Sequence, residues 1–247
     1  MKREKVISYI STIVALAAAV LLFMRWNPEP LLRKPEPPVF LEDLKRGRGA
    51  DFVGKPAGED IPRLSGAGDF AAMTGGVDCA TAEPAGVIPT GVYSLQPWSS
   101  RYSVRKVNGR VSKGGRKAKV VRSPLGAREG YSQYYLLELP DGTYILAQIP
   151  QSVVPAIEKG ERVTLPVGQK TGMTNTARSY LSGICREYGA SMDGVLYAID
   201  NQWYEEHSFT LFIMRFGAAL VLFLVLGVGM VLVGNKVFRV DSEGGRK

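Results

Sequence analysis

The stretch FGAALVLFLVLGVGMVLV, residues 216–233, decides the architecture of this chain, because its eighteen positions hold no charge, side-chain amide or proline. As a helix it would be about 27 Å long, close to the hydrocarbon thickness of a bilayer. The sequence therefore predicts a transmembrane helix, and we assign its full extent to residues 209–234.

A second, mainly apolar run at 6–24 lies near the other end of the 247 residues. Its nineteen positions exceed the roughly 7–15 of a signal-peptide core, and the following FMRWNPEP has no small-x-small cleavage site. We therefore expect two uncleaved spans. The predicted organisation is an N-terminus (1–5), span one (6–24), a polyproline-like spacer and short helix (25–47), a domain (48–208), span two (209–234) and a basic tail (235–247).

The charge distribution indicates an orientation for these spans. Of the formal net charge of +8, residues 1–24 carry +2 and residues 215–247 carry +3. Seven basic residues lie on the outer flanks of the spans and four on the inner flanks. The positive-inside rule then favours a plasma-membrane protein with both termini in the cytoplasm and the central domain outside. Trp26, Trp203 and Tyr204 are typical either of an interfacial aromatic belt or of ordinary domain residues.

The domain has mainly β-type patterns. Asn108-Gly109 predicts one hairpin, and Pro140-Asp141-Gly142 predicts a second between 131–139 and 143–149. Further strands are expected at 117–122, 161–167 and 195–199. The glycine- and alanine-rich region 48–90 is expected to form loops and short strands, and Gly66–Ala71, which matches a dinucleotide fingerprint in its letters, is expected to be a flexible turn.

Four helices are predicted around these strands. Short ones are expected at 39–46, with Gly47 as stop, and at 152–160, with Ser152 as cap. The clearest is amphipathic, at 176–188, with one apolar face and Gly189 after its end. Residues 201–215 should continue as helix into the second span. The predicted class is α+β, a mostly antiparallel sheet of about five or six strands with one packed amphipathic helix, or alternatively a small barrel.

Residues 101–128 hold ten basic residues and no acidic one. They indicate either a patch for anionic lipid, anionic polymer or an acidic partner, or the solvated face of an edge hairpin protected from aggregation. Nucleic acid is disfavoured, since interleaved aromatic residues are missing. The candidate patch comprises Arg101, Arg105, Lys106, Arg110, Lys113, Arg116, Lys117, Lys119 and Arg122.

Cys79 and Cys185 are the only cysteines and His207 the only histidine. The cysteines are either a disulfide or two separate buried thiols, with the thiols favoured because Cys185 lies on the buried side of its helix. No familiar metal spacing, cofactor motif or catalytic constellation is present, and His207 at the start of the second span is badly placed to activate either thiol.

These patterns predict a two-span membrane protein whose outer domain binds or scaffolds an envelope component, protein, lipid or anionic polymer, without catalysis. The alternatives are a membrane-anchored enzyme acting on lipid or cell-wall material, and an accessory subunit of a transport or secretion complex. The small residues Gly217, Ala218, Ala219, Gly227 and Gly229 slightly favour the last, since they permit close helix contact. The oligomeric state is left open.

Overall fold

A computed structural model describes residues 3–98, 106–107, 110–111, 119–122 and 130–244. The chain divides into two compact units, Lys34–Ser208 on the one hand and Met1–Arg33 with Phe209–Lys247 on the other. The first unit contains the sheet, and the second contains the apolar helices.

Among the described residues of the first unit, eight strands form one open, mixed sheet in the order β1-β2-β9-β10-β8-β7-β3-β6. Neighbours pair antiparallel except β1 with β2 and β8 with β10, which are parallel. The open order excludes the predicted barrel. The strands of this sheet are β1 (Arg63–Leu64), β2 (Cys79–Ala82), β3 (Gly86–Leu95), β6 (Val120–Val121), β7 (Tyr131–Glu138), β8 (Tyr144–Gln148), β9 (Gly168–Thr171) and β10 (Val195–Tyr197).

Both predicted hairpins are present. β7 and β8 pair antiparallel across the turn at Gly142, where φ is 80° and glycine is favoured. The short strands β4 (Lys106–Val107) and β5 (Arg110–Val111) pair as the other hairpin, while Asn108-Gly109 between them lies outside the described residues.

The central strands are buried on both faces. In β7, Tyr134 and Leu136 belong to one apolar cluster, and Tyr135 and Leu137 belong to another. Because successive side chains of a strand point to opposite faces, each face of the sheet has its own core. This explains why the sequence of β7 is a continuous run of large residues instead of an alternation.

Helix α6 (Asn175–Glu187) covers one face through Ala177, Leu181 and Cys185, which are at most 1% exposed. Thr174 caps it by accepting a hydrogen bond from Ala177 N at 3.2 Å. The opposite face is covered by α4 (Ala67–Ala72), α5 (Val154–Glu158) and the extended segment around Leu165. A smaller cluster of Val39, Ile61 and Val167 lies beside α3 (Leu41–Arg46).

The second unit contains α1 (Arg3–Arg25), α2 (Glu29–Leu32) and the apolar part of α7. Helix α7 (Asn201–Gly244) is continuous for 44 residues and begins within the first unit. The predicted continuation of the 201–215 helix into the apolar stretch is therefore confirmed.

Three local predictions were wrong. The predicted strand at 161–167 forms no ladder with another strand. Leu165 N donates to Ala82 O and Val167 N donates to Lys55 O, and the actual strand, β9, begins directly after this segment at Gly168. Part of the predicted polyproline-like spacer instead forms helix α2 (Glu29–Leu32). This turn is supported by an ion pair between the Arg33 guanidinium and the carboxylate of Glu29, which is only 1% exposed, at 2.9 Å.

The flexible turn predicted at Gly66–Ala71 is mostly the short helix α4, which follows strand β1. Its first backbone amides are already satisfied, because Asp69 accepts from Ser65 N and Gly66 N, and Thr143 Oγ1 accepts from Ala67 N. A nucleotide phosphate is thus not favoured there. The short helix α5 is also confirmed, although Val153 and not Ser152 is its N-cap residue.

Candidate functional site

The most apolar helix of the chain is also among its least buried. Within the described residues, Asn201–Met230 is the one helix long and apolar enough to cross a membrane, and 11% of its most apolar window is buried. Leu224 and Val225 are 52% and 63% exposed. A core helix of a soluble protein of this composition would be mostly covered.

Helix α1 has the same inverted pattern. Its described apolar part, Tyr9–Arg25, falls short of the length criterion that α7 meets. The residues buried on it are small, Ser11, Ala15 and Ala19, whereas Ile13 is 65% exposed. Serine and alanine at i, i+4 and i+8 form one stripe of the helix.

The next residue of that stripe, Phe23, contacts Phe212 of α7 edge-on with ring centroids 5.9 Å apart. The small-residue stripe of α1 therefore faces α7. The small residues singled out from the sequence lie on α7, at 217–219, 227 and 229, and not on this stripe of α1. Around Gly217, Gly227 and Gly229 of α7, no described atom other than the neighbouring backbone of the same helix lies within 4 Å of where a Cβ would be.

Only part of the predicted basic patch is described. Arg101, Arg105, Lys113, Arg116 and Lys117 lie outside the described residues. Lys106 and Arg110 occupy the β4–β5 hairpin, opposite Val111 and Val107 respectively. Lys119 and Arg122 flank the edge strand β6.

Arg122 is committed to a contact within the domain. Its guanidinium lies 4.3 Å from the centre of the Tyr180 ring and donates a hydrogen bond to Tyr180 O at 3.3 Å. The cation thus attaches the sheet edge to α6 and is less available to an anionic partner than the sequence suggested.

The two cysteines do not form the candidate disulfide in this structure. Both are free; Cys185 lies on the buried face of α6, and Cys79 is half-buried on β2, in a different apolar cluster. Burial raises the pKa of both thiols, and the nearby Asp78 carboxylate raises that of Cys79 further. At neutral pH neither is activated as a thiolate nucleophile.

His207 is engaged elsewhere. Its ring stacks on Trp203 with centroids 4.6 Å apart, and Nδ1 donates to Trp203 O at 2.9 Å, since a carbonyl can only accept. Trp203, 8% exposed, also meets Tyr204, which stacks on Trp98 at 4.8 Å. Trp203 and Tyr204 therefore pack as ordinary domain residues, which is the second of the two alternatives predicted from the sequence.

The first unit contains a cleft of about 740 Å³ between α3 and α4, above strands β1 and β2. Its apolar lining includes Leu41, Leu44, Leu64, Met73 and Val77. This volume is within the range of small-molecule sites. No local pattern predicted the cleft, because its residues come from several short elements and loops, most of them in the region of weakest periodicity.

Most charged groups of the cleft already have structural partners. Arg63 pairs with Glu83 at 2.7 Å, and Asp69 accepts hydrogen bonds from backbone amides of its own helix start. Asp78 accepts from Thr74 N at 2.7 Å. Lys45, on exposed helix α3, has no hydrogen bond or ion pair to any described residue.

Gln169 lies beside Cys79, one of the residues that line this cleft, and is not itself in the lining. It pairs across the sheet with Cys79 and is 6% exposed, yet its buried Nε2 has no hydrogen-bond partner in the described chain. A Cβ placed on the lining residue Gly49 would be 3.4 Å from this Nε2 and 2.8 Å from Cys79 Sγ. The Gln169 amide and the Cys79 thiol thus both lie close to Gly49.

In the described ranges, no group of three or more His, Cys, Asp or Glu side chains could hold a metal ion. No protein-family model matches the chain, and no curated protein or solved structure shows significant similarity to it. Any assignment of function therefore depends on the residues themselves.

Proposed function

We propose that this chain is an integral membrane protein with two spans, at 6–24 and 209–234, whose intervening domain binds or scaffolds a component of the cell envelope without catalysis. The observation that supports it best is the inverted burial on α1 and α7. Most large apolar side chains of these helices are exposed, with Leu211 an exception, whereas Ser11, Ala15, Ala19 and Ala219 are covered. Such a surface is unfavourable in water but matches lipid, where small residues allow helices to approach.

The proposed orientation has both termini in the cytoplasm and the domain outside. It is supported by the excess of basic residues on the outer flanks of the spans, seven against four. The fold is compatible with this arrangement, since α7 is continuous between the domain and the apolar stretch.

A binding role is favoured over catalysis by the state of the reactive groups. The thiol of Cys79 has a raised pKa, and His207 is hydrogen-bonded to Trp203 O within its own helix. The cleft, by contrast, has largely apolar walls. Candidate partners are another envelope protein, an anionic lipid or an anionic polymer.

Topology is tested with single cysteines at Arg3→Cys and Glu187→Cys in a chain lacking Cys79 and Cys185. In intact cells an impermeant maleimide should label position 187 and should label position 3 only after permeabilisation. Labelling of position 3 alone in intact cells would overturn the orientation. Extraction of the chain by alkaline carbonate would overturn membrane integration itself.

Binding is tested by crosslinking in intact cells, followed by purification of the full chain. A matched control keeps both spans but carries Leu136→Asp, which places a charge in the domain core. We expect a protein, lipid or polymer that copurifies with the native chain and not with the control. If the two samples yield the same components, the domain has no binding role.

A further inference from the structure

We infer that the cleft between α3 and α4 binds an extended segment of a partner protein, one with apolar side chains and a lysine or arginine, along the free edge of strand β1. This inference rests on the proposed binding function and names its partner class. Its starting point is the place of β1 (Arg63–Leu64), which is the terminal strand of the sheet and pairs with β2 alone among the described strands. A terminal strand can pair with a further chain through its unpaired main-chain groups.

The main chain of Arg63 is directed towards this free edge. Thr81 of β2 is the register partner of Arg63, and Thr81 N donates to Pro62 O at 2.9 Å. In a parallel ladder, a residue that bonds in this way connects to the residues on either side of its partner, so Arg63 N and Arg63 O point away from β2. In the part of the chain that the structure describes, neither atom has a hydrogen bond to another segment. One donor and one acceptor are therefore left for a bound main chain.

The cleft follows the edge of β1 and does not lie over one face of the sheet. Its lining includes the four consecutive residues 62–65. Arg63 and Leu64 direct their side chains to opposite faces, and of the two only Leu64 is buried. A cleft lined by both residues must run beside the strand. Helix α3, which buries none of its residues, contributes Leu41 and Leu44 to the same lining.

Apolar surface at the cleft is left uncovered. Val77, in the lining, is 66% exposed, and Phe40, next to the lining residue Leu41, is 44% exposed. They are the two most exposed large apolar side chains in the described part of residues 34–208. Apolar side chains of a bound peptide would cover this surface, whereas a polar polymer would leave it in water.

The charges of the cleft select a basic partner. Arg63 is paired with Glu83 at 2.7 Å, so Lys45 is the remaining cation of the lining. Asp69 and Asp78 accept backbone amides through Oδ2, and within the described residues their Oδ1 atoms have no hydrogen bond. Two carboxylates thus outnumber one ammonium, and a lysine or arginine of the peptide would complement them.

The experiment measures binding of a fluorescein-labelled peptide, Leu-Val-Lys-Val-Leu-amide, to the full chain in nanodiscs of phosphatidylcholine. Fluorescence anisotropy is the readout, and empty nanodiscs provide the blank for binding to lipid. We expect saturable binding with a Kd below about 1 mM. The same peptide with glutamate in place of lysine should bind about tenfold more weakly, because it faces the two carboxylates.

Two N-methylated forms of the peptide test main-chain pairing. One is methylated on the second and fourth residues and the other on the third residue. Alternate residues of a strand direct their N–H groups to the same edge, so only one of the two edges of the peptide can pair with Arg63. We therefore expect one form to lose binding and the other to keep it.

Two pairs of variants locate the peptide on the protein. Arg63→Pro removes the N–H at the free edge, whereas its matched control Arg63→Ala removes the same ion pair and keeps the N–H. The proline variant should bind about tenfold more weakly than the alanine variant. Asp78→Asn keeps an acceptor for Thr74 N but loses the charge, and it should bring the lysine and glutamate peptides closer in affinity, unlike Glu187→Gln on α6. The N-methylated peptides test the same edge on the native chain if Arg63→Pro does not fold.

Absence of binding up to about 1 mM, equal binding of both N-methylated forms, or equal binding of the lysine and glutamate peptides would overturn the inference. Displacement of the peptide by monomeric dihexanoyl phosphatidylcholine, with equal affinities for Arg63→Pro and Arg63→Ala, would assign the cleft to a lipid and would also overturn it. Failure here with a component that copurifies after crosslinking would remove the peptide and leave the binding role intact. The reverse outcome would remove the envelope partner while the cleft retains its ligand class, so the two failures are distinguishable.

Discussion

The sheet domain and the two apolar helices bury opposite kinds of side chain. In the domain Leu136, Leu146 and Leu196 are fully buried. On the helices Ala15 is fully buried, whereas Leu224 is 52% exposed. Both regions are rich in leucine and valine, so composition does not decide what is buried. The difference is explained if water surrounds the domain and lipid surrounds the helices, because only water drives large apolar side chains inward.

Removal of a large buried side chain should separate the two regions most strongly. Leu136→Ala on β7 should lower the free energy of unfolding by about 2–5 kcal/mol, since it leaves a cavity in the domain core. Its matched control, Leu224→Ala on α7, should cost less than about 1 kcal/mol in nanodiscs. Denaturant titration of the reconstituted chain measures both, and equal losses would contradict the comparison.

A charge on the exposed face of α7 tests which solvent is present there. Leu224→Arg should disfavour membrane insertion by about 2.5–3.5 kcal/mol, because the bilayer solvates a cation poorly. An insertion assay with glycosylation reporters measures it, with Glu205→Arg in the polar first part of α7 as control. If Leu224→Arg inserts as well as the control, lipid does not surround this face.

Enlargement of a small buried residue tests the contact between the helices. Ala15→Leu should destabilise the pair by about 1–3 kcal/mol through overpacking. Ala17→Leu lies on the exposed side of α1 and should be nearly neutral. The yield of a short crosslink between Phe23→Cys and Phe212→Cys, in a chain lacking the native cysteines, should fall only for the first variant. A fall in both would place the contact on another face.

Alkaline pH should affect the domain through Tyr135. Burial, with smaller contributions from Tyr93 and Glu158, raises its pKa from 10.0 to about 12. Because the folded state holds the proton more tightly, the stabilisation is complete below pH 10 and is lost as the pH rises through about 12. At pH 11 the loss should be about 1.4 kcal/mol. Tyr135→Phe should remove this part of the pH dependence, measured by urea titration, and an unchanged profile would show that Tyr135 does not contribute.

Local patterns predicted the elements that local interactions stabilise. Helix α6 has a cap, an apolar stripe and a glycine after its end, so neighbours along the chain specify it. The β7–β8 hairpin is specified by its turn at Gly142. The continuity of α7 follows from an unbroken run of helix-compatible residues.

Strand β9 shows why other elements were missed. Its sequence GQKT has no alternation of apolar and polar residues, and it is a strand because its backbone pairs antiparallel with β2 and β10. A Cβ on Gly168 would approach Leu196 Cδ1 to 2.7 Å, so glycine is required by a residue 28 positions away. The alternating segment before it was predicted as a strand, but Leu165 N and Val167 N donate to two different segments, at Ala82 O and Lys55 O, so no ladder forms.

The sequence by itself determined the apolar stretch at 216–233, the basic flanks and the α+β class, because hydropathy, charge and turn chemistry are properties of neighbouring residues. Only the tertiary structure decided the eight-stranded order, the stripe of small residues that faces α7, and the cleft between α3 and α4. These features arise where residues distant in sequence meet. They meet because the contact buries apolar surface, and a local sequence pattern does not predict which distant residues share it.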